Sequence, residues 1–140
     1  MQYFPILLVV LSNSCYHLCQ KSTPSSLNPI AALIVTYACA LIVSIVAFFI
    51  FVPKTNLMES IRVVNWASIL LGFAVVGLEL GFLLAYRSGW NISIAGLLAN
   101  TLVALILIPV GLLFYKESLS IINISGVLLC MIGLLLISRR

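Results

Sequence analysis

The chain has 140 residues, of which 64% are hydrophobic and only 7% are charged, and its mean hydropathy is +1.29. A soluble domain ordinarily has about 25% charged residues, so these values predict an integral membrane protein and exclude a soluble fold. The net charge of +4 is spread along the chain without a Lys/Arg cluster. That distribution argues against nucleic acid as a partner and is typical of anchoring at the bilayer interface.

Five apolar blocks of helix length follow one another along the chain. They span residues 3–18, 29–52, 66–86, 92–114 and 121–138. About 20 apolar residues cross a bilayer as a helix, and runs without polar alternation exclude a β-barrel. The sequence therefore predicts one all-α transmembrane domain, residues 1–140, folded as a five-helix bundle. A short interfacial helix is predicted between the second and third spans, within residues 56–64.

Basic residues fall almost equally on the two sides of this predicted bundle. One side has Lys21, Arg87, Arg139 and Arg140, and the other has Lys54, Arg62, Lys116 and the amino terminus. An excess of Lys and Arg normally sets the orientation in the membrane, so this balance leaves two alternatives open. Either one or two charges decide a single orientation, or the chain inserts both ways and assembles as an antiparallel pair.

Glu79 is one of only three acidic residues and lies inside the third apolar block. A carboxyl group near the middle of a span costs about 2.5–3.5 kcal/mol on insertion scales, so such groups usually face a water-filled path, a ligand or a partner charge. Burial disfavours the ionised form, and this predicts that Glu79 exchanges a proton for a cationic substrate. The alternative is a protonated Glu79 that forms a hydrogen bond across a helix interface.

A helical wheel places Tyr86 on the same face as Glu79, and Gly77 and Gly81 on the opposite face. The GxxxG spacing favours close packing of helices, so one side of this helix is predicted to dock while Glu79 and Tyr86 face a cavity. Three further glycines are predicted to pack helices in the same way: Gly96, Gly126 and Gly133.

The first apolar block carries a polar stripe. Its members recur at helical spacing: Asn13, Tyr16, His17 and Gln20. A stripe of this kind is costly against lipid, so it is predicted to face protein or water. His17 is the second candidate proton carrier because imidazole titrates near neutral pH, and the alternative is an ordinary buried hydrogen-bond partner. Tyr37 and Asn100 complete the candidate substrate site.

The four cysteines, Cys15, Cys19, Cys39 and Cys130, all lie in apolar segments and are predicted to be small buried residues rather than disulfides. His17 lies between Cys15 and Cys19, but at about 100° per residue it points away from both thiols, so no metal site is predicted. The chain has no Asp, no carboxylate pair and no phosphate-binding loop. We therefore predict neither an enzyme nor a bound cofactor.

Several segments together resemble a known family. They are the polar end of the first helix (residues 12–14), a Pro-containing turn into the second helix, residues 102–117 with Ile-Pro-Val and Tyr-Lys-Glu, and the glycine-spaced last helix (125–133). Over nearly its whole length the chain resembles a single EamA-type five-helix repeat of the drug/metabolite transporter superfamily, and distantly the small multidrug resistance proteins. The resemblance implies an interfacial, structural role for Glu117.

The resemblance also implies a function. Full-length relatives carry two inverted repeats with the site at the membrane midplane, so a single repeat requires an antiparallel homodimer or a paralogous partner. The implied protein is a secondary transporter subunit of the bacterial cytoplasmic membrane that moves a small organic solute, a metabolite or a cationic compound, by proton-coupled alternating access, with efflux as one direction. The alternative is a non-transporting accessory subunit, or a partner in a heteromeric lipid flippase.

The chain departs from both groups at the positions that matter most. The small multidrug resistance proteins have their essential acid in the first helix, where this chain has His17, whereas its own acid, Glu79, is in the third. Tyr37 stands where many EamA-type repeats have a basic residue. For these reasons no substrate or coupling residue is carried over from the resemblance.

Overall fold

The computed structural model describes residues 3–52, 55–116 and 120–138, and these residues contain helices and turns but no strand. The helices are α1 (Phe4–Ser22), α2 (Pro29–Phe51), α3 (Leu57–Arg62), α4 (Trp66–Arg87), α5 (Ile92–Phe114) and α6 (Ile121–Ser138). The predicted all-helical fold is therefore confirmed for this part of the chain, as is a helix within residues 56–64. Four residues used in the predictions lie outside the described residues: Lys54, Glu117, Arg139 and Arg140.

Three of the described helices, α2, α4 and α5, are long and apolar enough to cross a membrane. Membrane spans at α1 and α6, and hence the number of five, stay predictions.

The first helix continues four residues beyond its predicted end at residue 18 and stops at Ser22. Polar side chains explain this extension. The hydroxyl groups of Ser22 and Thr23 donate to the main-chain carbonyls of Leu18 (2.8 Å) and Cys19 (3.1 Å). The last four carbonyls of a helix lack partners within it, and the Cys19 carbonyl is one of them, so the Thr23 bond satisfies an acceptor in a turn that hydropathy alone assigned to the loop.

Asparagine residues set the start of several helices. Asn28, Asn56 and Asn65 precede α2, α3 and α4, and each side chain accepts a hydrogen bond from the main-chain N–H two residues later. These are N-cap interactions, which satisfy donors that the first helical turn leaves unpaired. Pro29 occupies the first position of α2, as predicted, where its missing N–H has no cost.

The contacts divide the chain into two compact units, residues 1–88 and 89–140. In the first unit α4 packs against both α1 and α2, and in the second α5 packs against α6. The Ser88-Gly89 turn lies at the boundary, where Gly89 has a φ of 96°. That left-handed conformation is readily available to glycine, which has no Cβ.

Few of the described side chains are buried. The buried apolar residues are Leu33, Leu83 and Tyr86 in the first unit and Ala95 in the second. Most other large apolar side chains are exposed along the outer faces of the helices. Such surfaces fit a protein whose exterior contacts lipid or another subunit rather than water. The interior of the first unit therefore lies where α4 meets α1 and α2.

Candidate substrate and proton site

Glu79 is buried on α4, with only 6% of its surface exposed, on the wall of a cavity of about 120 Å³ in the first unit. Residues of α1, of α2 and of the start of the loop between them complete the wall. The cavity is lined by Tyr16, Cys19, Gln20, Thr23, Ala32, Leu33, Thr36, Glu79 and Leu83. The carboxyl-bearing side chain therefore faces the interior of the unit.

Two phenol groups are the polar neighbours of the Glu79 carboxyl group. Tyr16 on α1 and Tyr37 on α2 both interact with it electrostatically. The Tyr37 hydroxyl is buried and forms no hydrogen bond of acceptable geometry. A phenol has one proton to donate, so both hydroxyl groups are suited to stabilise a carboxylate or to contact a ligand.

Gln20 ties α1 to α4 beside this cavity. It is buried, and its amide nitrogen donates to the Tyr16 hydroxyl at 3.3 Å and to the main-chain carbonyl of Glu79 at 3.5 Å. Because the Tyr16 hydroxyl accepts this bond, its own proton remains a donor. Gln20 thus fixes the position of one phenol relative to the helix that carries the acid.

His17 and Tyr86 form a second polar group beside the cavity. The Tyr86 hydroxyl and His17 Nδ1 are 2.8 Å apart in a buried hydrogen bond. The imidazole ring makes edge contacts with the rings of Tyr16, Phe82 and Tyr86, whose centroids lie 5.2, 4.7 and 6.1 Å away. This environment is that of a satisfied buried histidine.

Neither His17 nor Tyr86 is among the residues that line the cavity. The prediction that Tyr86 shares a cavity with Glu79 is therefore wrong for the described residues. The two residues point the same way on the helix, but seven residues separate them by about 10 Å along the axis. The Tyr86 hydroxyl consequently bonds to His17 at a different depth.

Two basic side chains hold α1 and the α1–α2 loop against the C-terminal end of α4. The Lys21 ammonium donates to the Tyr86 carbonyl at 3.4 Å and lies 5.7 Å from the centroid of its ring. The Arg87 guanidinium donates to the carbonyls of Pro24 (3.1 Å) and Leu27 (2.6 Å) in the α1–α2 loop. Positive charge is favourable at a helix C-terminus, so these contacts hold the loop and α1 against α4.

Two predicted site residues lie elsewhere. Asn13 is exposed in the described chain, so its predicted place in the site stays a prediction. The side-chain contacts of α1 with α4 involve Tyr16, His17, Gln20 and Lys21, in the last two turns of α1, whereas Asn13 lies one turn earlier. Asn100 belongs to the second unit and is exposed on α5.

For four glycines the predicted packing is wrong within the described chain, whereas packing against a second subunit stays a prediction. A Cβ built at Gly77, Gly81, Gly126 or Gly133 meets no described atom within 4 Å, so these glycines do not pack against another described helix of this chain. Helices α1 and α2 pack instead on the Glu79 face of α4, because the polar groups of that face are costly against lipid. Gly96 is buried on α5.

The cysteine prediction is wrong as well, because all four thiols are exposed in the described chain. Cys15 and Cys19 lie one turn apart on α1, where their sulfur atoms are 4.0 Å apart. His17 is buried against Tyr86, so it points away from the thiols as the helical spacing predicts.

Phe82 and Leu83 are site residues that sequence reasoning missed. Phe82 contacts His17 and stacks on Tyr86, and Leu83, only 1% exposed, closes the cavity. They lie three and four residues after Glu79, the spacing at which side chains share a helix face. Extending the Glu79 face by that rule identifies both.

The apolar helices and the buried carboxyl beside a cavity are those of a helical integral membrane protein with a polar interior site. The chain belongs to the EamA-like transporter family, whose family model matches residues 1–139. This confirms the resemblance to the drug/metabolite transporter superfamily and indicates a membrane transporter type of role. No significant match was found among curated proteins or among solved structures.

Proposed function

We propose that the protein is a secondary transporter subunit that moves a small organic solute, a metabolite or a cationic compound, in exchange for protons, with Glu79 as the coupling residue. The observation that carries this proposal is the buried carboxyl group of Glu79 on the wall of a cavity between three helices. A charge held inside a membrane protein is expensive and usually serves a substrate or ion pathway. Membership of a transporter family supports the same conclusion.

The proposed coupling arises because a proton and the solute compete for the carboxyl group of Glu79. Ionised Glu79 attracts a cation, and protonated Glu79 is neutral and releases it, so the group holds a proton or the solute but not both. The hydroxyl groups of Tyr16 and Tyr37 interact with this carboxyl group and are available to the solute in the same region.

The size of the cavity bears on the assembly. A volume of about 120 Å³ holds only a few water molecules, since each occupies about 30 Å³ in the liquid. A larger solute needs more lining surface than this cavity has, and in the proposed assembly a second subunit provides it. We propose an antiparallel homodimer, or a pair with a paralogue, because inverted repeats are a recurring plan for alternating access.

Uptake by purified protein in liposomes tests the proposal. With an imposed pH gradient and a panel of labelled organic amines and amino metabolites, we expect at least one solute to accumulate above the level of protein-free liposomes. A protonophore, which dissipates the gradient, abolishes that accumulation. Uptake equal to that of protein-free liposomes for the whole panel contradicts the proposal and favours a non-transporting accessory subunit or a heteromeric partner.

The Tyr37 hydroxyl provides a second prediction. Replacing Tyr37 by Phe removes a buried hydroxyl group that forms no hydrogen bond, and an unsatisfied buried polar group costs about 1–3 kcal/mol. We therefore expect Tyr37→Phe to leave the free energy of unfolding unchanged or to raise it, while uptake falls several-fold because the hydroxyl group is no longer available to the solute or to the ionised carboxyl group of Glu79. Tyr115→Phe is the matched control, since Tyr115 is 75% exposed.

Unfolding in mixed micelles and uptake in liposomes measure the two effects. A destabilised Tyr37→Phe protein with unchanged uptake per folded molecule contradicts a role for this hydroxyl group at the site.

A further inference from the structure

The sulfur atoms of Cys15 and Cys19 form a thiol pair on one side of α1. They are four residues apart, their sulfur atoms are 4.0 Å apart, and both thiols are free and exposed. Cys19 also lines the Glu79 cavity. The other two cysteines, Cys39 and Cys130, lie on α2 and α6 and supply internal controls.

We propose that Cys15 and Cys19 together bind one thiophilic cation of the Cu(I), Ag(I) and Hg(II) class as a two-coordinate bis-thiolate. Metal–sulfur bonds of about 2.3 Å, the length found for zinc, allow two thiolates to bind one ion at separations up to about 4.6 Å. A separation of 4.0 Å lies inside that reach. Soft thiolate ligands select soft cations.

The surroundings of the pair decide the coordination number. Among the described residues no group of three His, Cys, Asp or Glu side chains is placed to hold an ion, and the nearest imidazole, on His17, is bonded to Tyr86 on the buried side of α1. Structural zinc sites almost always have four ligands, so the pair does not suit zinc. It suits ions that accept two ligands. With bonds of about 2.3 Å, sulfur atoms 4.0 Å apart give an S–metal–S angle of about 120°, and a linear arrangement requires the sulfur atoms to move to about 4.6 Å apart.

Charge balance favours a divalent ion at this position. Two S–H bonds break, two S–metal bonds form and two protons pass to water, so a divalent cation yields a neutral complex. A monovalent cation leaves one negative charge, which is costly in an apolar environment. Cys19 lies about 5 Å from the end of α1, so an ion from the aqueous phase reaches the pair without crossing the bilayer. Hg(II) is therefore expected to bind most tightly.

Titration with mercuric chloride tests this site independently of transport. The full chain carrying Cys39→Ser and Cys130→Ser, in detergent with excess glutathione as a competing thiol, is expected to bind one Hg(II) per chain. Its affinity is expected to exceed that of the same protein with Cys15→Ser or Cys19→Ser by about 100-fold or more, because the second thiol binds intramolecularly at a high effective concentration.

A swapped variant separates the geometry from the number of thiols. Ser14→Cys combined with Cys15→Ser keeps two thiols but places them about 140° apart around the helix. This variant is expected to bind Hg(II) like the single-thiol proteins. Equal affinity of the swapped and native pairs, a native pair no tighter than one thiol, or one ion per two chains would overturn the proposal.

Discussion

Replacing Glu79 by Gln is expected to abolish proton-driven uptake. The amide has nearly the shape of the acid but neither binds nor releases a proton in this pH range, and it carries no charge for a cation. A unit charge pair at about 4 Å with an effective dielectric constant of 20 contributes about 4 kcal/mol, which corresponds to about three orders of magnitude in affinity. Liposome uptake under an imposed pH gradient measures the loss.

Glu59 provides the matched control for this substitution. It lies on the short helix α3 and is exposed, so Glu59→Gln changes the net charge equally without touching the cavity. We expect the uptake of this variant to equal that of the unmodified protein. Full proton-driven uptake by Glu79→Gln would instead favour the alternative in which Glu79 is a protonated hydrogen-bond donor between helices.

Replacing Leu83 by Ala is expected to have the largest effect on stability. Leu83 is the largest side chain that is fully buried among the described residues, and it closes the cavity where α4 meets α1 and α2. In water-soluble proteins this change costs about 2–5 kcal/mol, as transfer and cavity terms together. A helix separated within the bilayer still buries its leucines in lipid, so mainly the packing term is lost. We expect a decrease in the free energy of unfolding of about 1–2 kcal/mol.

The neighbouring Leu84 provides the control that separates loss of packing from the mere replacement of a leucine by alanine. It has the same side chain but is 50% exposed on the outer face of α4, so Leu84→Ala is expected to change the free energy of unfolding by less than about 0.5 kcal/mol. Unfolding in mixed micelles compares the two variants. Equal effects of both substitutions would show that Leu83 does not hold the three helices together.

Hydropathy and helical spacing predicted the parts of the molecule that depend on local physics. The helix starts at Asn28-Pro29 and Asn65 follow from capping chemistry, which acts between residues close in sequence. The Glu79 face and the stripe of Tyr16, His17 and Gln20 were recognisable from the sequence. Polar groups within apolar blocks are costly against lipid and therefore face protein or water.

The incorrect predictions concern which faces of neighbouring helices pack together. The sequence of one helix alone does not determine this. Gly77 and Gly81 have the spacing of a docking surface, but the cost of exposing Glu79 to lipid turns the opposite face toward α1 and α2. A helical wheel gives the direction of a side chain around the helix axis but not its position along the axis. It therefore placed Tyr86 in the Glu79 cavity, whereas the Tyr86 hydroxyl forms a hydrogen bond with His17. Leu83 was missed because hydropathy does not distinguish a buried leucine from a lipid-facing one, and only its position four residues after Glu79 identifies it.

Proton release on solute binding tests most directly the claim that Glu79 couples solute to protons. The purified protein in weakly buffered detergent is mixed with the organic cation that gives the highest uptake, and the pH change is recorded. We expect about one proton per bound cation from the unmodified protein and from Glu59→Gln, and none from Glu79→Gln. Cation binding without proton release, or equal release from the Glu79→Gln protein, would contradict the account.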